Sequence, residues 1–176
     1  MIFCELALRG AFMIQPERLE DERGFFARSY CAREFELHGL NPRVVQCNFS
    51  LSRKRGTLRG IHCQGPAGEE AKLVRCTAGA LYDVIVDLRP QSPTYLKHEG
   101  LRLDAAGYLM IFVPQGFGHG FITLEDDTEV HYQMSEFYDP GKARGIRWDD
   151  PAFGIPWPME PRVISDRDRS YPDFAG

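Results

Sequence analysis

Two glycine-rich segments carry the residues best suited to chemistry: GTLRGIHCQ, which holds His62, Cys63 and Gln64, and VPQGFGHGF, which holds Pro114, Gly116 and His119. Lys72 opens the apolar run KLVRC, and Tyr132 sits in EVHYQMSEFY, on a strand whose alternation turns it toward the same interior. Singly, each has a blander reading: a hydrogen-bonded core histidine, a surface lysine, a core tyrosine. Together, a histidine base, a cation beside a developing oxyanion and a phenol able to donate a proton suit removal and return of a proton alpha to a carbonyl. The enolate's charge needs donors already in place, supplied by Lys72 with His119 as a second candidate. Inversion needs a second group across the substrate from His62, and Tyr132 is the candidate. Such chemistry needs no cofactor and no metal.

The elements that must position these side chains are strands. Seventeen glycines and twelve prolines cut the chain into short runs rich in Val, Ile, Phe and Tyr, with no long helical period in the middle. Strands are predicted near Phe25–Tyr30, Val44–Ser52, Thr57–Cys63, Lys72–Thr77, Leu81–Asp87, Leu109–Val113, Gly120–Leu124 and Glu129–Ser135. Turns at Ala78-Gly79 and Pro114-Gln115-Gly116 bound several of them. One early helix is expected near Ala32–His38. The proline-rich C-terminal segment around Trp157 reads as irregular, with a short helix at most, packing across the barrel. With no repeat or linker, residues 1–176 are expected to form one all-β domain with a few short helices, its strands closing into one barrel or jelly roll.

Formal net charge is -4, with no basic stripe of the kind that meets a phosphate backbone, so nucleic acid is not an expected partner. Five scattered cysteines with no C-x-x-C pair argue against a disulfide framework or a zinc knuckle and fit a reducing cytoplasm. The first fifteen residues are interrupted by Glu5 and Arg9, so neither a signal peptide nor a membrane span is expected there.

The two glycine-rich segments resemble the two halves of the cupin motif, with Gln64 where the first half places a second histidine. An amide oxygen is a poor ligand for the metals that imidazole suits, which favours acid-base use of the remaining histidines. A broader resemblance covers nearly the whole chain: DERGFF at Asp21–Phe26, Q-x-N-x-S-x-S at Gln46–Ser52, LRGIHCQ, KLVRC, YDVIVDLRPQSPTY at Tyr82–Tyr95, VPQGFGHGF, RGIRWDDP at Arg144–Pro151 and ISDRD at Ile164–Asp168. In this order the chain is similar to the dTDP-4-dehydrorhamnose 3,5-epimerase family.

That resemblance implies an isomerase acting on a nucleotide-linked 4-keto-6-deoxyhexose, with His62 as base paired to Asp168, Lys72 on the enolate and Tyr132 as acid. It assigns Arg23, Phe26, Gln46, Asn48, Arg59, His119, Tyr138 and Arg167 to the nucleotide sugar. It also implies a homodimer, for which the apolar N-terminal segment is a candidate to extend a partner's sheet. Departures from the family pattern are Cys63 for tyrosine, Arg28 for glutamate, Ala143 near a lost glutamate, and Arg167 for lysine. Three alternatives stay open: a single-site 3- or 5-epimerase, a metal-dependent cupin using His62, Glu69 or Glu70 and His119, and a non-catalytic sugar-binding cupin.

Overall fold

The glycine and proline punctuation divides the chain into short strands. The computed structural model describes residues 1–65 and 69–174. In chain order these form β1 (Ile2–Glu5), β2 (Phe12–Gln15), β3 (Arg18–Asp21), β4 (Gly24–Ala27), α1 (Ala32–Leu37), β5 (Gln46–Ser52), β6 (Thr57–Gln64), β7 (Lys72–Ala78) and β8 (Ala80–Asp87). They continue with β9 (His98–Asp104), β10 (Met110–Val113), β11 (Phe117–Thr123), β12 (Thr128–Met134), β13 (Ala143–Gly145), β14 (Val163–Ile164) and α2 (Asp166–Arg169).

One sheet runs β1-β2-β10-β7-β12-β5. The other runs β13-β6-β11-β8-β9, with β14 added in parallel to β6. Alternation aims one face of each sheet inward. Val74, Cys76, Ile111 and Val130 of the first sheet pack there with Leu81, Ile85, Leu103 and Phe121 of the second. The result is the cupin-type jelly roll expected from the sequence. Each such aliphatic side chain, fully buried, contributes roughly 1.5–3 kcal/mol of transfer free energy.

The outer faces are covered too. Phe35 of α1 lies over the first sheet with Ile14, Leu73 and Met110. Ile146, Phe153 and Trp157 of the C-terminal segment lie over Val84 and Val86 of the second. This is why β8 reads as a nearly continuous apolar run: both of its faces are buried.

The Ala78-Gly79 turn carries the chain from β7 of the first sheet to β8 of the second, with Gly79 at φ +70°, a conformation glycine adopts without strain. The motif LRPQSPT is also structural. The buried Asp87 accepts hydrogen bonds from Arg89, Ser92 and Thr94, and these outweigh burial and hold its carboxyl at about 2.

The structure moves one predicted strand and adds others. The predicted strand at Phe25–Tyr30 shortens to β4. The segments β1, β2 and β3 are strands only four residues long, too short to show a period in sequence. The strand β9 was hidden by its charged residues, with only Leu103 fully buried. The N-terminal segment joins the first sheet of its own chain, with β2 bonded to β10 and β1 at the sheet edge. No helix among the described residues is long and apolar enough to cross a membrane.

Candidate active site

His62 on β6 and His119 on β11 are direct partners across an antiparallel pair. Just before His62 the two strands approach so closely that a side chain on Gly60, at φ +120°, would place its Cβ 2.5 Å from the Gly120 Cα. Glycine at position 60 lets β6 bend at this point. The Gly60 N–H donates to Asp168 Oδ2 at 3.2 Å, and Asp168 Oδ1 lies 2.7 Å from His62 Nε2. Asp168 is brought there by α2, whose first turn is capped by Ser165 Oγ accepting from the Asp168 N–H at 3.1 Å. The pairing of β14 with Thr57 and Leu58 docks that segment on β6.

A carboxylate can only accept, so His62 Nε2 carries the proton and Nδ1 is left as the basic nitrogen. Asp168 is 4% exposed while the His62 side chain is 43% exposed, so the imidazole reaches open space from an anchored partner. Burial pushes the Asp168 carboxyl up, but His62, the Gly60 N–H and Ser165 outweigh it and hold it below the ordinary carboxylate range. The lowered value means that Asp168 stabilises the fold above the ordinary carboxylate range, and that this contribution is lost as pH falls through the folded value.

Across the sandwich, Lys72 and Tyr132 come from neighbouring strands of the first sheet, β7 and β12. They share the inward face of the buried Val74 and Val130. Lys72 is itself buried, its Nζ 2.6 Å from Glu70 Oε1. Burial, aided by Glu70 and opposed by Arg59, raises the Tyr132 phenol above its ordinary value.

These groups line one cavity of about 770 Å³. Ten of the twelve side chains singled out in the sequence border it: Gln46, Asn48, Arg59, His62, Lys72, His119, Tyr132, Tyr138, Arg167 and Asp168. Arg59 donates to Ser52 Oγ and to the Leu51 carbonyl, both at 3.2 Å, and not to an acid. The Tyr138 N–H donates to Gln46 Oε1 at 3.0 Å, and the hydroxyl of Tyr138, then Tyr171, raises the Arg167 guanidinium.

Arg23 and Phe26 are the exceptions. They stand on the β3–β4 hairpin with Arg23 paired to Asp21 at 2.5 Å and its side chain 84% exposed, and with Phe26 70% exposed. Neither borders the cavity of its own chain.

Several contacts around the site were not read from the sequence. His119 Nε2 lies 2.8 Å from Asp83 Oδ2, a second imidazole–carboxylate pair. Asp83 shares a face of β8 with Leu81 and Ile85, so alternation was a usable signal for it. Tyr171 sets its ring edge-on to His62, centroids 6.3 Å apart, and carried no signal. Gln64 uses both ends of its amide on backbone, donating to the Phe137 carbonyl and accepting from the Asp139 N–H, each at 2.8 Å, and so ties down the segment that bears Tyr138. The groups a metal-dependent cupin would use have separate partners: Asp168 for His62, Asp83 for His119, Lys72 for Glu70 and Lys142 for Glu69.

The family profile for dTDP-4-dehydrorhamnose 3,5-epimerase matches residues 5–176. The chain belongs to this family. Among its relatives, the dTDP-4-dehydrorhamnose 3,5-epimerase of Methanothermobacter thermautotrophicus is 43% identical over 172 residues, covering 96% of this chain and 92% of that one. The crystal structure of the Bacillus anthracis 3,5-epimerase with TDP and PPi bound superposes with a TM-score of 0.93 at 39% identity, covering 98% of this chain and 99% of the other. A dTDP-4-dehydrorhamnose 3-epimerase of Streptomyces niveus is 39% identical over 165 residues, covering 93% of this chain and 79% of its own. Membership in the epimerase family makes the chain an isomerase of carbohydrate type.

Proposed function

We propose that the protein inverts C3 and C5 of a nucleotide-linked 4-keto-6-deoxyhexose, as a dTDP-4-dehydrorhamnose 3,5-epimerase. The observation that carries this reading is that a carboxylate-anchored histidine from one sheet shares a cavity with a lysine and a phenol from the other. His62 Nδ1 takes the proton alpha to the C4 ketone, and Asp168 stabilises the imidazolium so formed. Lys72 meets the charge that gathers on the keto oxygen. Tyr132 returns a proton to the opposite face of the carbanion, which inverts that carbon, and each half of the transfer moves only a proton. Gln46, Asn48, Arg59, His119, Tyr138 and Arg167 hold the nucleotide sugar, with the guanidinium groups suited to the diphosphate. The TDP bound by the Bacillus anthracis relative supports this partner.

Arg23 and Phe26 fit the same role only in a second copy, and we propose a homodimer in which the exposed β3–β4 hairpin reaches the neighbouring cavity. Phe49, 69% exposed, and Leu51, 40% exposed, on the edge strand β5 supply an apolar surface for such a contact. Light scattering at micromolar concentration should give twice the chain mass, and a monomer's mass would contradict the dimer. The five cysteines are all unpaired, which supports a reducing compartment such as the cytoplasm.

The functional reading is tested by proton NMR of dTDP-4-keto-6-deoxyglucose with the protein in deuterated water. Deuterium is expected at both C3 and C5. Label at one carbon alone would favour the single-site activity named for the Streptomyces niveus relative, and no label at either would overturn the epimerase reading.

A further inference from the structure

Glu70 takes no part in the steps above, yet it stands among the groups that perform them. It is 6% exposed and borders the cavity with Lys72, Tyr132 and Cys63. Its Oε1 holds Lys72 Nζ at 2.6 Å, while Oε2 is buried with no hydrogen-bond partner among the described residues. Burial raises the Tyr132 phenol and the Cys63 thiol above their ordinary values, and the Glu70 charge adds to both rises against the opposing charges of Arg59 at Tyr132 and Lys72 at Cys63.

A buried carboxylate oxygen left unpaired bears its full desolvation cost, and it can only accept. Its missing partner must therefore be a donor. An anion at this place would be repelled, whereas a neutral hydroxyl would not. An α-hydroxy ketone offers a matching pair of oxygens, one hydrogen-bond length apart: a carbonyl for Lys72 and a hydroxyl for the carboxylate beside it.

We infer that Glu70 is a specificity-determining residue, with Oε2 accepting a hydrogen bond from the ring hydroxyl next to the keto carbon while Oε1 keeps Lys72 on the keto oxygen. This rests on the reading of the site as a 4-keto sugar epimerase.

The test compares kcat/KM for deuterium exchange at C5 between the parent dTDP-4-keto-6-deoxyglucose and its 3-deoxy analogue. The wild-type protein should disfavour the analogue by about 10- to 100-fold, the range for a hydrogen bond to a charged group. Glu70→Gln should shrink that ratio to about threefold and Glu70→Leu should remove it. The leucine variant is first checked by thermal melting, and if it does not fold the glutamine variant alone decides.

Were Glu70 to act only through Lys72, or to be satisfied by water, both substrates would slow by the same factor and the ratio would stay at its wild-type value. That result, or a wild-type protein indifferent to the hydroxyl, would overturn the assignment. A wild-type protein that exchanges no proton of the parent substrate would instead overturn the epimerase reading, and this one with it.

Discussion

His62→Ala is expected to abolish solvent exchange of the substrate's C3 and C5 protons, slowing it about a thousandfold or more, at the upper end of what a lost general base costs. The effect is large because the carbon acid is weak and because nothing else at that position can accept its proton. The other imidazole, His119, is committed through Nε2 to Asp83 and is itself only 8% exposed. Loss of fold is not the expected cause, since the His62 side chain is 43% exposed and supports no core cluster. The substitution does leave Asp168 buried without its partner, at a cost of about 1–3 kcal/mol. The variant should therefore melt at a lower temperature yet still bind dTDP, as followed by calorimetric titration.

Tyr132→Phe should separate two events that the wild-type protein joins. The ring still packs beside Val130, so the strand keeps its place and only the proton donor is lost. Exchange through His62 should persist within about tenfold, while formation of the inverted sugar should fall about a hundredfold or more. The wild-type pH profile carries a matching signature. Burial raises the phenol, with Glu70 adding to the rise and Arg59 opposing it, so Tyr132 stays protonated through neutral and mildly alkaline pH. Inversion should fail only as pH rises past that raised value.

The inward-facing chemistry was legible because alternation is a strong constraint on a half-buried strand. Once β7 and β12 are recognised, Lys72 and Tyr132 must face the interior with Val74 and Val130. The pairing of His62 with Asp168 was implied by family resemblance and could not come from spacing, because it joins residues 106 apart through a four-residue helix docked on β6. The Asp83 partner of His119 was available from the same alternation and was missed. Glu70 lies in a connection, where no period indicates which way a side chain turns. Arg23 and Phe26 show the other limit. Their residue types suit a ligand, but they stand on a hairpin that pairs with neither main sheet, so alternation does not turn them toward the cavity.

The central claim is that protons leave toward one sheet and return from the other. It is tested most directly by incubating Tyr132→Phe and His62→Ala, side by side with the wild-type protein, with dTDP-4-keto-6-deoxyglucose in deuterated water, and by reading isotope content and configuration at C3 and C5 from the same spectra. The account predicts label with inversion for the wild type, label with retained configuration for Tyr132→Phe, and neither for His62→Ala. Undiminished exchange in His62→Ala, or undiminished inversion in Tyr132→Phe, would contradict it.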